Sequence, residues 1–498
     1  MPRPGSRFLV VSLSLCAVAA AAVWAQVIRN GPLPAPLPLF PSDSWWNLDI
    51  SAAPTDTPTN SSNFRTYIGG EGMHPDFGAE GEFEPEIYGI PFISVPGSQP
   101  LVPVTWTTNW NQSDDRAPCS PPGYPIPEEA KLGTKWIEGG YAGNADPDTT
   151  DGDRHMLIVD RDNRILYELF RTFWNEATSQ WEADSGAIFP LDYNRRRPDG
   201  WTSAEAAGLA LLPGLIRRDE VYGPDPIRHA FRITLHGVCG YVFPASHLAS
   251  TGCPNAPPLG TRMRLMSGYN ILGYPPHIQK IFQAMKTYGV IVADTGTDMY
   301  VTGTYDPLWD NDQLNPYFDD LTAANFDFIQ PGWMPANYPV LPDGDWCPWH
   351  PVPREQFAVY MLRALESQSY TPPAPACGGS FYTDVTPCPG NQYAAWIEDL
   401  RDRGFVAACE PGHYCPKNAV THAQLAMALV KAKHPGAYTP PDCTNPSPFT
   451  DFDCTHPFAD WIMAARAESL LAGCAANRFC PDEAMTRVEL EKLLATAF

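Results

Sequence analysis

The segment DRHMLIVDRDNRILYELFRTFW, residues 153–174, places carboxylic acids, an imidazole and aromatic rings at spacings that one strand pair can gather. A turn at Asp162-Asn163, flanked by β-rich runs, sets Leu157 opposite Glu168 and His155 opposite Phe170. Strand alternation then brings Asp153, His155, Glu168, Phe170 and Trp174 to one sheet face. Rings stack on pyranose faces, and paired carboxyls act as acid and base in glycosidic cleavage, so the set reads as a sugar-binding cleft with catalytic potential. The competing reading is structural: Arg154, Arg171 and Arg228 are available to neutralise the acids, and Asp153 can cap a turn.

A second set follows. The stretch RRRPDGWTSAEAAGLALLPGLIRRDEV, residues 195–221, crowds charge around Trp201 in a connection too long for a plain turn, and long ordered loops commonly carry binding sites. Asp219 and Glu220, with His229 of IRHAFRITL, form the next acid–base candidates, against surface ion pairs flanking a strand. Asp294 and Asp310 are further acids near the end of the region. The loop NADPDTTDGD offers Asn144, Asp146, Asp148, Asp151 and Asp153 as oxygen ligands, yet Thr149 stands where an EF-hand needs glycine and His155 where it needs a bidentate acid. No cofactor is expected, with calcium the one metal left open. There is no His-Glu-x-x-His zinc helix, no Gly-x-Ser-x-Gly elbow and no phosphate-binding glycine loop.

The elements that must hold these residues are mostly strands. FRITLHGVCGYVF reads as another strand pair, and GVIVADTGTDMYVTG as a hairpin around Thr295-Gly296. One helix intervenes, PPHIQKIFQAMKTYG, with Pro276 near its start, Ile278, Ile281, Phe282 and Met285 on one face, and Gly289 ending it. Residues 26–338 are therefore expected to form a mainly β domain, a β-sandwich or jelly roll with few helices.

Length and composition bound the rest. A chain of 498 residues exceeds one ordinary core, and 44% hydrophobic residues with 55 prolines describe a globular, loop-rich protein. The first 25 residues set Arg3 and Arg7 before an apolar run from Phe8 to Val23 and close on Val23-Trp24-Ala25, the pattern of a cleaved signal peptide. No later segment is apolar enough to span a bilayer. Export makes disulfides expected, and removing Cys16 with the leader leaves twelve of the 13 cysteines. A formal charge of −23 repels phosphate backbones, so nucleic acid is not an expected partner.

From residue 339 the chain repeats itself. The phrase CPKNAVTHAQLAMALVKA from Cys415 recurs as CPDEAMTRVELEKLLATA from Cys480 and CPWHPVPREQFAVYMLRA from Cys347. Two fuller units, over 377–434 and 443–498, share an aromatic before Thr-Asp, a helix opening at Trp-Ile, a small-residue turn and a second helix; 339–366 is a partial unit. Such periodicity signals stacked helical hairpins sharing one core. Thr486 can cap the last helix, with Val488, Leu490, Leu493 and Leu494 on its apolar face. The cysteine spacings repeat too, which argues for the bridges Cys377–Cys388, Cys409–Cys415, Cys443–Cys454 and Cys474–Cys480. Cys239 and Cys253 would bridge across ASHLASTG, leaving Cys119 and Cys347 to join the two regions or stay free.

Phe-Thr-Asp, Trp-Ile, the Gly-Cys turn and Met485-Thr486-Arg487-Val488-Glu489-Leu490 resemble the S-layer homology module, in a cysteine-bearing variant. The resemblance implies an all-α bundle of three modules whose grooves bind an anionic cell-wall polymer, with Arg487 and Arg354 in the position of the family's ionic contact and His422 replacing the arginine in the middle unit. Together these readings point to an exported, envelope-associated bacterial protein, held at the cell surface by its tail, with a β-rich domain acting on cell-wall or extracellular polysaccharide as a hydrolase or lyase. The alternative is a non-catalytic surface-layer or adhesion protein that binds a glycan or protein partner.

Overall fold

The computed structural model describes residues 26–335 and 350–497, interrupted at 109, 117–120, 151, 193, 195, 252, 368–369, 374–380, 386–392, 407 and 476. The expected signal peptide, Cys119, Cys347 and the Cys377–Cys388 bridge lie outside the described residues. The chain divides into two compact units, the larger ending at Met334 and the smaller containing the residues from His350 onward. Among the described residues no helix is long and apolar enough to cross a membrane.

The strands of the larger unit are β1 (Ile28–Arg29), β2 (His74–Asp76), β3 (Phe92–Val95), β4 (Val104–Trp106), β5 (Met156–Asp160), β6 (Ile165–Phe170) and β7 (Phe173–Asn175). They continue as β8 (Gln180–Ala183), β9 (Ser185–Pro190), β10 (Phe231–Leu235), β11 (Arg262–Leu265), β12 (Val290–Thr295), β13 (Tyr300–Thr302) and β14 (Phe326–Phe328). Its helices are α1 (Pro58–Ile68), α2 (Arg218–Tyr222), α3 (Pro276–Thr287) and α4 (Asn311–Phe318). Among the described residues three sheets form, ordered β1-β3-β5-β6-β9, β14-β11-β12-β10-β13-β2 and β4-β8-β7.

The expected sandwich of antiparallel strands is not what these strands build. Each sheet is mixed: β3 runs parallel to β5, β10 to β12, β13 to β2, and β4 to β8. Parallel neighbours need a crossover, and between β10 and β12 the chain supplies one through α3. The second expected hairpin fails for the same reason, because β10 inserts between β12 and β13 and pairs with both. FRITLHGVCGYVF likewise gives one strand, followed by a loop with a single bridge, Tyr241 to Leu259.

The first hairpin has the register that alternation requires, with Leu157 opposite Glu168. Its turn is tied by the Asp160 carboxylate, which accepts the Asn163 N–H at 2.9 Å and the Asn163 Nδ2 at 2.8 Å. Helix α3 buries Ile278, Ile281, Phe282 and Met285. At roughly 2 kcal/mol for each large apolar side chain, that stripe fixes the helix on the apolar face of the second sheet, where Phe231, Ile233, Val290, Val292 and Met263 share its core. Gly289, at φ +76°, ends the helix where a Cβ would meet the Met263 carbonyl at 2.4 Å.

The other face of that sheet is polar. Register pairs Ile233 with Val301 and Thr234 with Tyr300 across β10 and β13, and Tyr300 with His74 and Thr302 with Asp76 across β13 and β2, while the Arg232 side chain donates to Thr302 Oγ1. Thr234 also lies opposite Asp294, past a bulge in the β10–β12 pairing. One sheet therefore divides an apolar core from a row of chemically active side chains.

The smaller unit contains α5 (Arg354–Leu365), α6 (Ala394–Asp402), α7 (His422–Lys433), α8 (Ala459–Ala467) and α9 (Arg487–Ala497). The repeated phrase opens α5, α7 and α9. The residues just before them close a ring of backbone bonds: Val352 N–H donates to Met485 O, Met485 N–H to Val420 O, and Val420 N–H to Val352 O, each at 2.9 Å. One turn on, Arg354 N–H donates to Asn418 O, His422 N–H to Glu483 O and Arg487 N–H to His350 O. The Thr-Asp pair also has a job: Asp384 accepts the N–H groups of Tyr414 and Cys415, and Asp451 those of Phe479 and Cys480. These hold the left-handed turns at Cys415 and Cys480, both at φ 56°. Thr421 and Thr486 make capping boxes with Gln424 and Glu489.

Disulfides join Cys409 to Cys415, Cys443 to Cys454 and Cys474 to Cys480. The Cys239–Cys253 bridge does not form. Both residues are thiols, and the loop closes instead through the Cys253 N–H, which donates to Cys239 Sγ at 3.1 Å.

Candidate active site

The charged residues of the larger unit converge where the polar face of the second sheet meets the end of the first hairpin and the 195–221 loop. His155 precedes β5 and is 2% exposed. Its Nδ1 lies 2.7 Å from Glu138 Oε2 and its Nε2 2.9 Å from Ala204 O. Both partners are acceptors, so both ring nitrogens carry protons and the ring is an imidazolium. Burial opposes that charge, but Glu138, and next Asp153, outweigh it and lift His155 to about 10. In return, burial pushes Glu138 up while His155 and then Arg232 hold it below the usual range.

Glu205 sits in the loop between the two sheets and is 1% exposed. Its Oε1 accepts from Arg232 Nε, and among the described residues its buried Oε2 has no hydrogen-bond partner. Burial raises it to about 7 despite Arg232, and Asp294 adds to the rise. Arg232 is anchored through Nη1 to Thr302 Oγ1. Asp294, half-exposed at the end of β12, accepts the N–H of its neighbour Thr295 at 2.7 Å and the Ala206 N–H at 3.3 Å, and the latter ties the loop to the sheet next to Glu205.

Two more carboxyls face the same charges. Asp153 feels His155, Glu138, Asp294 and Arg232, and Asp76 feels Arg232, Glu138 and His74. Both are open to solvent, yet desolvation by the surrounding protein raises each of them.

Glu168 lies within this field but is committed elsewhere. Its two oxygens accept the Leu211 and Leu212 N–H groups at 2.9 Å, and burial lifts it to about 7. It anchors the loop from below. Phe170 is half-buried at the end of β6, with its ring 5.6 Å from His155. Trp174 belongs to the third sheet, where Lys131 Nζ covers its ring at 3.8 Å. Trp201 is buried, with the Arg197 guanidinium over it at 5.4 Å.

Asp219, Glu220 and His229 form a separate knot around α2. Glu220 takes His229 Nε2 at 3.0 Å and Arg217 Nη2 at 2.9 Å, and Arg217 Nε donates to Asp219. Burial pushes Glu220 up, but Arg217 and His229 together hold it at about 2. Its geometry is that of a capping ion network. In the loop whose oxygens leave calcium open from sequence, Asn144 donates to Glu176 and Asp146 caps the N–H of Asp148, while Asp151 lies outside the described residues.

In the smaller unit Arg354 is 2% exposed, donates from Nε to Tyr414 O at 2.8 Å and lies over the Tyr414 ring at 4.6 Å. His422 is buried with Nδ1 3.0 Å from Cys480 O, and Arg487 is 2% exposed with Nη2 on Gln356 Oε1. Each side chain of the repeated phrase thus clasps the neighbouring repeat.

Reading the sequence located Asp153, His155, Phe170 and Asp294, but missed Glu205, Glu138, Asp76 and Arg232. Glu205 did carry a signal: it is the lone ionisable residue between Asp199 and Arg217, in an otherwise apolar run. A scan against protein-family models finds no match for this chain, and a search of curated proteins finds no significant relative.

Proposed function

We propose that the larger unit cleaves polysaccharide by acid–base hydrolysis, with Glu205 as the acid and Asp294 as the base. The observation that carries this reading is the contrast between the two carboxyls: Glu205 is buried, raised to about 7 and has an unpartnered oxygen, while Asp294 is half-exposed in the same field. Environments that divide two neighbouring acids in this way assign one to give a proton and the other to take one. Glu205 gives its proton to the leaving glycosidic oxygen as the bond from the anomeric carbon breaks. Asp294 takes a proton from the water whose oxygen makes the new bond, and solvent returns the proton to Glu205. His155 and Arg232 are positioning residues, since they hold Glu138 and Glu205 in place and stop the carboxyls from repelling one another apart.

The smaller unit, on the resemblance to S-layer homology modules, is the attachment device of an exported protein. Arg354, His422 and Arg487 hold the ring together, so polymer contact in this proposal falls to groups around them. The test is a glycan panel incubated with the mature chain and read for binding and for new reducing ends. Release of product that stops in Glu205→Gln, with binding kept, supports the reading; binding without release in the native chain refutes it and favours an adhesin.

A further inference from the structure

We propose that Cys239 and Cys253 are a redox-sensitive clasp: reaction with a low-molecular-weight disulfide bridges the two thiols and tightens the segment between them on the Glu205 loop. The effect on turnover rests on the reading of Glu205 as the acid; the thiol chemistry and the tightening do not. Among the described cysteines, six are joined in the smaller unit and these two are thiols, both half-buried. They already lie side by side. The Cys253 N–H donates to Cys239 Sγ at 3.1 Å, so a turn of one side chain, not a shift of the chain, is what separates the sulfurs from bonding. The backbone at this neck is drawn together without them: Gly240 N–H donates to Ser250 O at 2.9 Å, the Ser250 hydroxyl to Val238 O, and Cys239 N–H to Pro257 O at 3.1 Å.

The segment that this neck closes reaches the candidate site. Ser246 and His247, midway between the two cysteines, grip the Glu205 turn on both sides. Before Glu205, Gly200 N–H donates to Ser246 O at 2.7 Å and the Ser246 hydroxyl to Trp201 O at 2.8 Å. After it, Ser246 N–H donates to Ala207 O at 2.9 Å, and His247 Nδ1 donates to Ala206 O at 3.0 Å, since a carbonyl only accepts. Ala206 is also the residue whose N–H the Asp294 carboxylate accepts, so it is held from the sheet on one side and from the cysteine-flanked segment on the other. A neck held by hydrogen bonds alone opens and recloses, and the grip on residues 200–207 opens with it. A covalent neck removes that motion and its loop-closure entropy. The disulfide reagent is the oxidant: one protein thiolate attacks it, forming a mixed disulfide and releasing one thiolate, and the second attacks the mixed disulfide, forming the Cys239–Cys253 bond and releasing the other. The reagent is thereby reduced by two electrons and leaves as two thiols, which carry off the two protons.

The experiment takes the full mature chain through glutathione buffers from reduced to oxidised, without denaturant. Peptide mass spectrometry should show Cys239 and Cys253 passing from two thiols to one bridge, with loss of two hydrogens and no glutathione retained, while the tail disulfides stay closed. Hydrogen exchange at the Gly200 and Ser246 amides should slow about tenfold in the bridged form, a fraction of what closing a loop of this size offers, and turnover in a reducing-end assay should rise severalfold. The protein carrying Cys239→Ser and Cys253→Ser should exchange at the reduced rate at every buffer ratio. Thiols that persist, or that take up glutathione without bridging, at the most oxidising ratio overturn the inference. So does a bridge that no ratio reduces, or exchange at Gly200 and Ser246 that ignores the bridge. Turnover that is equal in both states overturns the control of the site. Slowed exchange with no glycan cleaved in either state supports the clasp and refutes the reading of Glu205 as the acid.

Discussion

Replacing Glu205 by glutamine should make the protein more stable at alkaline pH while removing the proposed hydrolysis. The folded protein holds the Glu205 proton up to about 7, whereas an exposed carboxyl releases it near 4.5. A group raised on folding contributes stability that is complete below the unfolded value and lost as pH climbs through the folded one. At about 1.4 kcal/mol per pH unit across that window, the loss reaches roughly 3 kcal/mol by pH 8. The side chain is wholly buried, so solvent does not dilute this figure. Glutamine cannot ionise, and it keeps an oxygen for Arg232 Nε. Native and E205Q proteins should therefore unfold at similar urea concentrations near pH 4.5 and diverge by up to about 3 kcal/mol at pH 8, E205Q being the stabler. Tryptophan fluorescence follows the transition, since most described tryptophans, Trp45, Trp46, Trp181 and Trp201 among them, lie in the larger unit. Glu168 contributes a similar slope to both proteins and cancels in the comparison. A variant that is equally destabilised at both pH values would show Glu205 to be an ordinary ionised partner of Arg232, and the assignment of the acid would fall with it.

Glu220→Gln should do the reverse. Glu220 is held at about 2, so its contribution is present above 4.5 and fades as pH falls toward 2; the variant should lose roughly 3 kcal/mol at pH 7, little at pH 2, and keep its turnover, by urea unfolding and the reducing-end assay. Arg354→Ala removes a buried guanidinium from the Tyr414 turn and should lower the calorimetric transition of the smaller unit by about 2–4 kcal/mol without moving that of the larger. Replacing Cys409 and Cys415 by serine opens a six-residue loop, and the same calorimetry should register a cost of about 2 kcal/mol.

Local pattern carried what depends on neighbours in the chain. The hairpin register around Asp162-Asn163, the apolar stripe of α3 and the matched cysteine pairs of the tail all follow from short-range spacing, and the structure has the register, the stripe and three of the four pairs, the fourth, Cys377–Cys388, lying outside the described residues. What escaped was strand order. Nothing in GVIVADTGTDMYVTG says that β10, some sixty residues earlier, will enter between its two halves. The site was half legible for the same reason. His155 and Asp153 stand in a run with obvious alternation, whereas Glu138 and Asp76 reach the cluster from loop and edge positions that only the tertiary fold brings near. Arg232 was visible as a cation in a strand, but its partner lay in a loop whose course the sequence does not specify.

The ring that joins Val352, Val420 and Met485 has a bearing on how this tail can vary. An open stack of repeats has two ends, and units can be gained or lost there one at a time with only a local penalty. A closed triangle has no free terminus to extend. Deleting one member strands donors and acceptors on both survivors, and inserting a fourth leaves it without a seat. The copy number is thus set by geometry, and changes in length should occur within the segments between the helices, where nothing has to meet around the circle.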